Sequence, residues 1–158
     1  NAIAIEAALE SAGQSARALT AIPMPVHAET YSRAVAANHL KQGRVVVLGG
    51  GTGSPFFTTD TTAALRAAEL NAGAIMKATQ VDGIYTADPK KDPKARRYET
   101  LSHDEAIEKR LAVMDTAAFA LARENRIPII VFSLAEPGAI QSAWEGRGRF
   151  TLVSPAAG

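Results

Sequence analysis

The stretch from Arg44 to Lys77, RVVVLGGGTGSPFFTTDTTAALRAAELNAGAIMK, constrains the fold more than any other part of the chain. It opens with an unbroken apolar run, Val45 to Leu48, which predicts a strand buried on both faces, as in a parallel sheet. Gly49, Gly50, Gly51 and Gly53 follow, a loop that can turn sharply and lie close to another group. Pro55, two phenylalanines and two threonines lead to Asp60, and an Ala-rich helix is predicted over roughly Thr61 to Asn71. Strand, glycine loop, hydroxyls and helix start together form the layout of an anion site. The first turn of a helix offers unpaired N–H groups and the positive end of a dipole. The loop does not satisfy the standard phosphate signatures. A dinucleotide fingerprint starting at Gly49 would need glycine where Ser54 stands, and there is no Gly-Lys-Ser/Thr of a P-loop. A tight βα turn without a ligand would use the same glycines.

The remaining β and α segments extend this pattern. A helix is predicted from the first residue to about Gly13, a weak strand over Ala16 to Ile22, and a second Ala-rich helix over roughly Ala28 to Lys41. A short strand ends at Lys77. Strands joined by helical crossovers imply a parallel sheet and an α/β fold. Lys77 to Asp88 (KATQVDGIYTAD) reads as a loop, with Asp82-Gly83 as a hairpin turn signal. Pro89 to Arg97 is a basic surface segment that could also face phosphate. Ser102-His-Asp-Glu105 is a capping box opening a helix to about Lys109. Asp115 reads as the N-cap of a helix over Thr116 to Asn125 that buries Ala118, Leu121 and Ala122. Ile127 to Phe132 is a buried strand. Pro137 and Gly146 bracket a last helix, and Phe150 to Val153 is a terminal strand.

Composition excludes several function classes. A formal net charge of +1 gives no field for nucleic acid or an anionic membrane. No apolar run is long enough to span a bilayer. Without cysteine there is no disulfide framework, thiolate metal site or thiol nucleophile. His27, His39 and His103 show no metal-ligand spacing, so no metal site is expected from them. The expected location is the cytoplasm.

Three segments together resemble one family: Thr52 to Asp60 (TGSPFFTTD), Lys77 to Pro89 (KATQVDGIYTADP) and Val113-Met-Asp115. Along essentially its whole length the chain is similar to bacterial-type uridylate kinases of the amino acid kinase superfamily. Relatives that act on amino acids or carbamate share the fold and a Val-Asp-Gly segment but not the first string. The resemblance implies a three-layer αβα sandwich with a mainly parallel sheet. It implies one domain over residues 1–158, lacking the family's N-terminal third and its Lys-x-Ser-Gly-Glu and Gly-Gly-Gly-Asn segments. The 158-residue chain alone is therefore expected not to turn over substrate. The implied reaction is transfer of the ATP γ-phosphoryl group to UMP, with Mg²⁺, by a hexamer in pyrimidine nucleotide biosynthesis.

Carried over by position, Thr52, Gly53, Ser54, Pro55, Phe56, Phe57, Thr58 and Thr59 would hold UMP. Thr79, Tyr85 and Asp88 would hold ATP. Lys77 would stand beside the transferred phosphoryl group and Asp60 would orient it. Phosphoryl transfer depends on positioning and positive charge, which suits these residue types. On residue chemistry alone Lys77 also fits a strand-end lysine, Asp60 a helix N-cap, and Tyr85 a hairpin aromatic. Ser54 stands where the family usually carries asparagine, and Gln80 where it often carries lysine. GTP and UTP are the implied effectors. Arg17 and Arg44 match the family's GTP contact, whereas Glu6 and Glu10 stand where relatives can be basic, which argues against strong GTP control. The alternatives are another amino acid kinase or a non-catalytic nucleotide-binding or storage relative.

Overall fold

The computed structural model describes residues 1–111 and 113–155. Their order is α1 (Ala2–Ser11), β1 (Ala16–Thr20), β2 (Glu29–Thr30), α2 (Arg33–Lys41), β3 (Val45–Gly49), α3 (Thr59–Glu69), β4 (Ile75–Thr79), β5 (Thr100–Ser102), α4 (His103–Glu108), α5 (Thr116–Glu124), β6 (Ile129–Ser133), α6 (Ala139–Trp144) and β7 (Phe150–Ser154). The chain forms two compact units, Asn1–Thr62 and the remainder from Ala63. Both are α/β, and among the described strands every pairing but one is parallel, as the crossover pattern predicts.

The first unit is a parallel sheet in the order β2-β1-β3. Its centre, β1, buries Ala16, Ala18 and Leu19. It runs in register with β3 from Ala16↔Val45 to Thr20↔Gly49. The helix expected from Ala28 starts later, at Arg33. Residues 29 and 30 instead extend the sheet as β2, and the Tyr31 amide donates to the Thr20 carbonyl at 2.9 Å. Ser32 then supplies the helix start, its hydroxyl accepting from the Val35 amide at 3.2 Å. A serine cap outranks the weak helix propensity of the residues before it. The expectation that Val45 to Leu48 is buried on both faces also fails. Val45 is 39% exposed and its successors are only half-buried. Among the described strands β3 lies at the edge of its sheet, with β1 as its one partner.

The second unit is a sheet in the order β4-β6-β7-β5. β4 and β6 are parallel, β6 and β7 antiparallel, β5 and β7 parallel. β5 was absent from the sequence expectation because three residues carry no readable period. Ile129, Val131 and Val153 are fully buried, and Phe119 of α5 fills the same core. Burying a side chain of that size contributes about 1.5–3 kcal/mol. The expected α5 face is shifted: Ala118, Phe119 and Ala122 are buried, and Leu121 packs at its margin. The helix starts where expected. Asp115 caps it, Oδ1 accepting from the Ala118 amide at 2.7 Å. The Ser102–Glu105 capping box is present in full at α4.

His103 opens α4 and is 1% exposed. Its Nε2 lies 3.0 Å from the Ile127 carbonyl and its Nδ1 has no partner. The neutral ring therefore donates from Nε2. Burial pushes the imidazole below its ordinary value, helped by Arg123 and against the opposing pull of the Ile127 carbonyl, Asp104 and the Ser154 backbone. Unfolding restores the ordinary value, so the unfolded chain binds the proton more readily. The stabilisation is complete above about pH 6.5 and is lost as pH falls below it toward the depressed folded value. Between pH 7.5 and 5, the wild-type unfolding free energy measured in urea should fall more steeply than that of His103→Gln, by at most about 1.4 kcal/mol per pH unit. Parallel pH profiles for the two proteins would contradict this account.

Candidate functional site

In the first unit, the chain leaving β3 folds back on its own backbone. Gly50 and Gly53 have φ of +76° and +78°. A Cβ at Gly50 would lie 3.0 Å from Thr20 Oγ1 and 3.3 Å from the Ala21 and Ile22 nitrogens. One at Gly53 would lie 3.2 Å from the Ala21 carbonyl. These two glycines are thus required by close approach to the end of β1. The Ala21 amide donates to the Gly49 carbonyl at 3.0 Å and completes that contact. Beyond it, the Thr52 hydroxyl accepts from the Ser54 amide at 3.1 Å. Ser54, Pro55 and Phe57 are exposed, and Phe56 is fully so, with φ of +69°.

Thr58 is the residue that starts α3. Its hydroxyl accepts from the Asp60 amide at 3.1 Å and the Thr61 amide at 3.2 Å. Its carbonyl accepts from the Thr62 amide and hydroxyl at 3.0 and 2.9 Å. Asp60 is therefore not the N-cap. It lies in the first turn, where its charge complements the helix dipole. Thr59 is the first residue of the helix and is exposed.

In the second unit, β4 runs on to Thr79, so Lys77 sits in mid-strand, paired with Val131 and half-buried, not at the strand end that the sequence suggested. The residues after β4 form a long excursion instead of a tight hairpin. Gly83 is not a free turn glycine: a Cβ there would meet Thr151 Oγ1 at 2.5 Å and Arg97 Cδ at 2.8 Å. The limbs of the excursion join at an isolated bridge between Tyr85 and Arg97, with the Thr86 amide on the Arg96 carbonyl at 2.9 Å.

Thr79, Tyr85 and Asp88 line one cleft of about 550 Å³ together with Lys109 and Arg110. A second cleft of about 440 Å³ shares Tyr85 and has Asp82, Lys90, Phe132, Arg147 and Arg149 in its wall. Lys77 lines neither. The Tyr85 hydroxyl donates to Asp82 Oδ1 at 2.6 Å, and Arg149 Nε lies 2.7 Å from Asp82 Oδ2. The bond to Asp82 holds the Tyr85 phenol above its ordinary range, with burial adding to the effect and Arg149 and Arg97 opposing it. The Thr79 hydroxyl accepts from the Val81 amide at 3.0 Å. Asp88 is a turn residue, Oδ1 accepting from the Lys90 amide at 2.9 Å.

The structure thus gathers Thr79, Tyr85 and Asp88 in the second unit and holds Thr52 to Asp60 as one continuous loop and helix start in the first. Sequence reasoning read Asp82 only as a turn residue, and it missed Arg149 and Thr151. No spacing signal marks them, because they meet across long stretches of chain. Among the described residues no group of three or more His, Cys, Asp or Glu could hold a metal ion, and no helix is long and apolar enough to cross a membrane.

An α/β chain with parallel crossovers and a glycine loop feeding a capped helix defines a broad class of phosphate-handling proteins. Comparison narrows it. Residues 1–133 match the amino acid kinase family. A uridylate kinase of Azorhizobium caulinodans is 62% identical over 155 residues, which are 98% of this chain and 65% of the relative. One from Nitrobacter hamburgensis is 60% identical over 154 residues, with the same coverage. The crystal structure of UMP kinase from Ureaplasma parvum matches with a TM-score of 0.93 and 36% identity, over 98% of this chain and 66% of that one. The UMP kinase structure from Bacillus anthracis gives 0.94 and 38%, over 99% and 65%. The chain belongs to the amino acid kinase family and has its fold. It spans 65% of the length of these curated relatives.

The capping geometry makes a direct prediction. Thr58→Ala should lower stability by about 1 kcal/mol, and Thr58→Ser should retain most of it. Urea unfolding of the three proteins measures this. An unchanged midpoint for the alanine variant would remove Thr58 from the cap.

Proposed function

We propose that the protein carrying this chain is a UMP kinase that transfers the γ-phosphoryl group of ATP to UMP, giving UDP for pyrimidine nucleotide synthesis in the cytoplasm. The observation that carries this reading is the 62% identity to a uridylate kinase across 98% of the chain. UMP is assigned to Thr52–Thr59, whose amides and hydroxyls lead into the start of α3 and suit a nucleotide phosphate. ATP is assigned to Thr79, Tyr85 and Asp88, which share one cleft. Lys77 is assigned to offset charge on the transferred phosphoryl group, and Asp60 to orient it. Mg²⁺ enters with ATP, as the MgATP substrate. A small, hydrated cation of this kind is held mainly by phosphates and one or two carboxylates, without an all-protein cage.

The reaction is tested by coupled ADP release with UMP and MgATP, on this chain and on a version extended to the length of its relatives. No UMP-dependent ADP release from the extended version would refute the proposal. Within it, Thr59→Ala should weaken UMP binding by about 1.5–3 kcal/mol, the cost of a hydrogen bond to a charged partner, and leave ATP binding nearly unchanged. Titration with each nucleotide separates the two, and equal losses would rule out the assignment of Thr59 to UMP.

A hexameric assembly is part of the proposal; strong control by GTP is not. Arg17 is engaged with Glu6 at 3.2 Å, and Arg44 donates to His39 Nδ1 at 2.8 Å, with His39 Nε2 in turn 2.8 Å from Glu29. An effector phosphate would have to displace these partners. Turnover with and without GTP should therefore differ little, and strong activation would show that these arginines are recruited despite their contacts.

A further inference from the structure

Thr151 is wholly buried, with no exposed surface. It shares the inward face of β7 with Val153, and at such a position valine would fill the same space. A buried hydroxyl is unfavourable unless it is bonded. This one is bonded twice. Its oxygen accepts from the Ile84 amide at 2.9 Å, across 67 residues of chain, and its proton goes to the Tyr98 carbonyl. Ile84 and Tyr98 are the two limbs of the 81–98 excursion at its base, and they bond each other, the Tyr98 amide to the Ile84 carbonyl at 2.8 Å. Adjacent residues of the same strand region add to the hold. Arg97 donates to the Phe150 carbonyl, and Arg149 holds Asp82, the acceptor of the Tyr85 hydroxyl. Gly83 leaves no room for a side chain between Thr151 and Arg97.

We propose that Thr151 is a positioning residue for nucleotide binding: its hydroxyl, helped by Arg149, clamps both limbs of the 81–98 excursion to β7 and so fixes Tyr85 and Asp88 in their cleft. Its value for ATP rests on the proposed kinase reading; the clamp itself does not. The backbone of Thr151 is already committed to the β6 ladder opposite Val131, so the hydroxyl is anchored by the most buried part of the second unit. An excursion held this way presents its nucleotide-facing residues without paying ordering entropy when ligand arrives.

The test uses Thr151→Val, which keeps the shape and removes the hydroxyl, Thr151→Ser, which keeps the hydroxyl, and Arg149→Gln, an exposed change that spares the fold. Two readouts are taken. The first is the rate of tryptic cleavage at Lys90, Lys91, Lys94 and Arg96 without nucleotide, followed by mass spectrometry. The second is the KM for MgATP and for UMP in the extended protein. Thr151→Val removes both hydroxyl bonds and should speed cleavage in this segment and raise the MgATP KM by about tenfold, with the UMP KM and kcat little changed. Thr151→Ser should restore both, and Arg149→Gln should move both in the same direction by less. If Thr151→Val loses its cooperative unfolding transition, the serine and Arg149→Gln proteins carry the test. Wild-type cleavage rates in the folded variants, or a serine variant no better than valine, would overturn the clamp. Faster cleavage in a protein that binds no MgATP even as wild type would uphold the clamp and overturn the kinase reading instead.

Discussion

A buried strand must pair its backbone N–H and C=O groups along both edges, and among the described strands β1, β6 and β7 do so. β1 is the centre of its sheet, and β6 joins the two halves of the other. β1 sets the register of β3, and that register determines where the glycine loop leaves the sheet, opposite Thr20. β6 sets the registers of β4 and β7 at once, and so places Lys77 opposite Val131 and Val131 opposite Thr151. A one-residue slip in either ladder would turn every functional side chain on that strand to the other face.

The two regions assigned to nucleotides are built by different means. The loop of the first unit is shaped by the absence of side chains: Gly50 and Gly53 let it press against residues 20–22, and Thr58 then turns it into a helix with one hydroxyl. The excursion of the second unit is shaped by polar contacts with distant residues, among them Asp82 with Arg149 and Tyr85 with Asp82. The contacts of the Thr151 hydroxyl at the base are buried, and buried polar groups are unfavourable when unpaired and rigid when satisfied. Both solutions leave side chains at the surface of a loop held by a rigid strand, the usual way for an α/β fold to present a binding group.

Residues that already have partners account for much of the surface chemistry. Inside the first unit Arg17 pairs with Glu6, and His39 bridges Arg44 and Glu29. Arg123 pairs with Asp104 and Lys109 with Glu105 on the second. The exposed pairs among these contribute little to stability, generally about 0–1 kcal/mol each. Their larger effect here is on recognition, because an incoming anion must compete with a carboxylate already in place.

The sequence by itself determined the α/β class, the helix starts at Asp115 and Ser102, the last helix between Pro137 and Gly146, and the family. Those features are written in short-range chemistry, where a cap or a glycine acts on residues within three or four positions of itself. What the sequence placed wrongly depended on partners elsewhere. Residues 29 and 30 became a strand because β1 offered an edge, and Lys77 moved to mid-strand because β6 continued beside it. The clamp on the excursion was invisible for the same reason. Thr151 reads as one more β-branched core residue until the fold brings Ile84 and Tyr98 to its hydroxyl, and only tertiary contact decides whether a buried oxygen is a defect or an anchor.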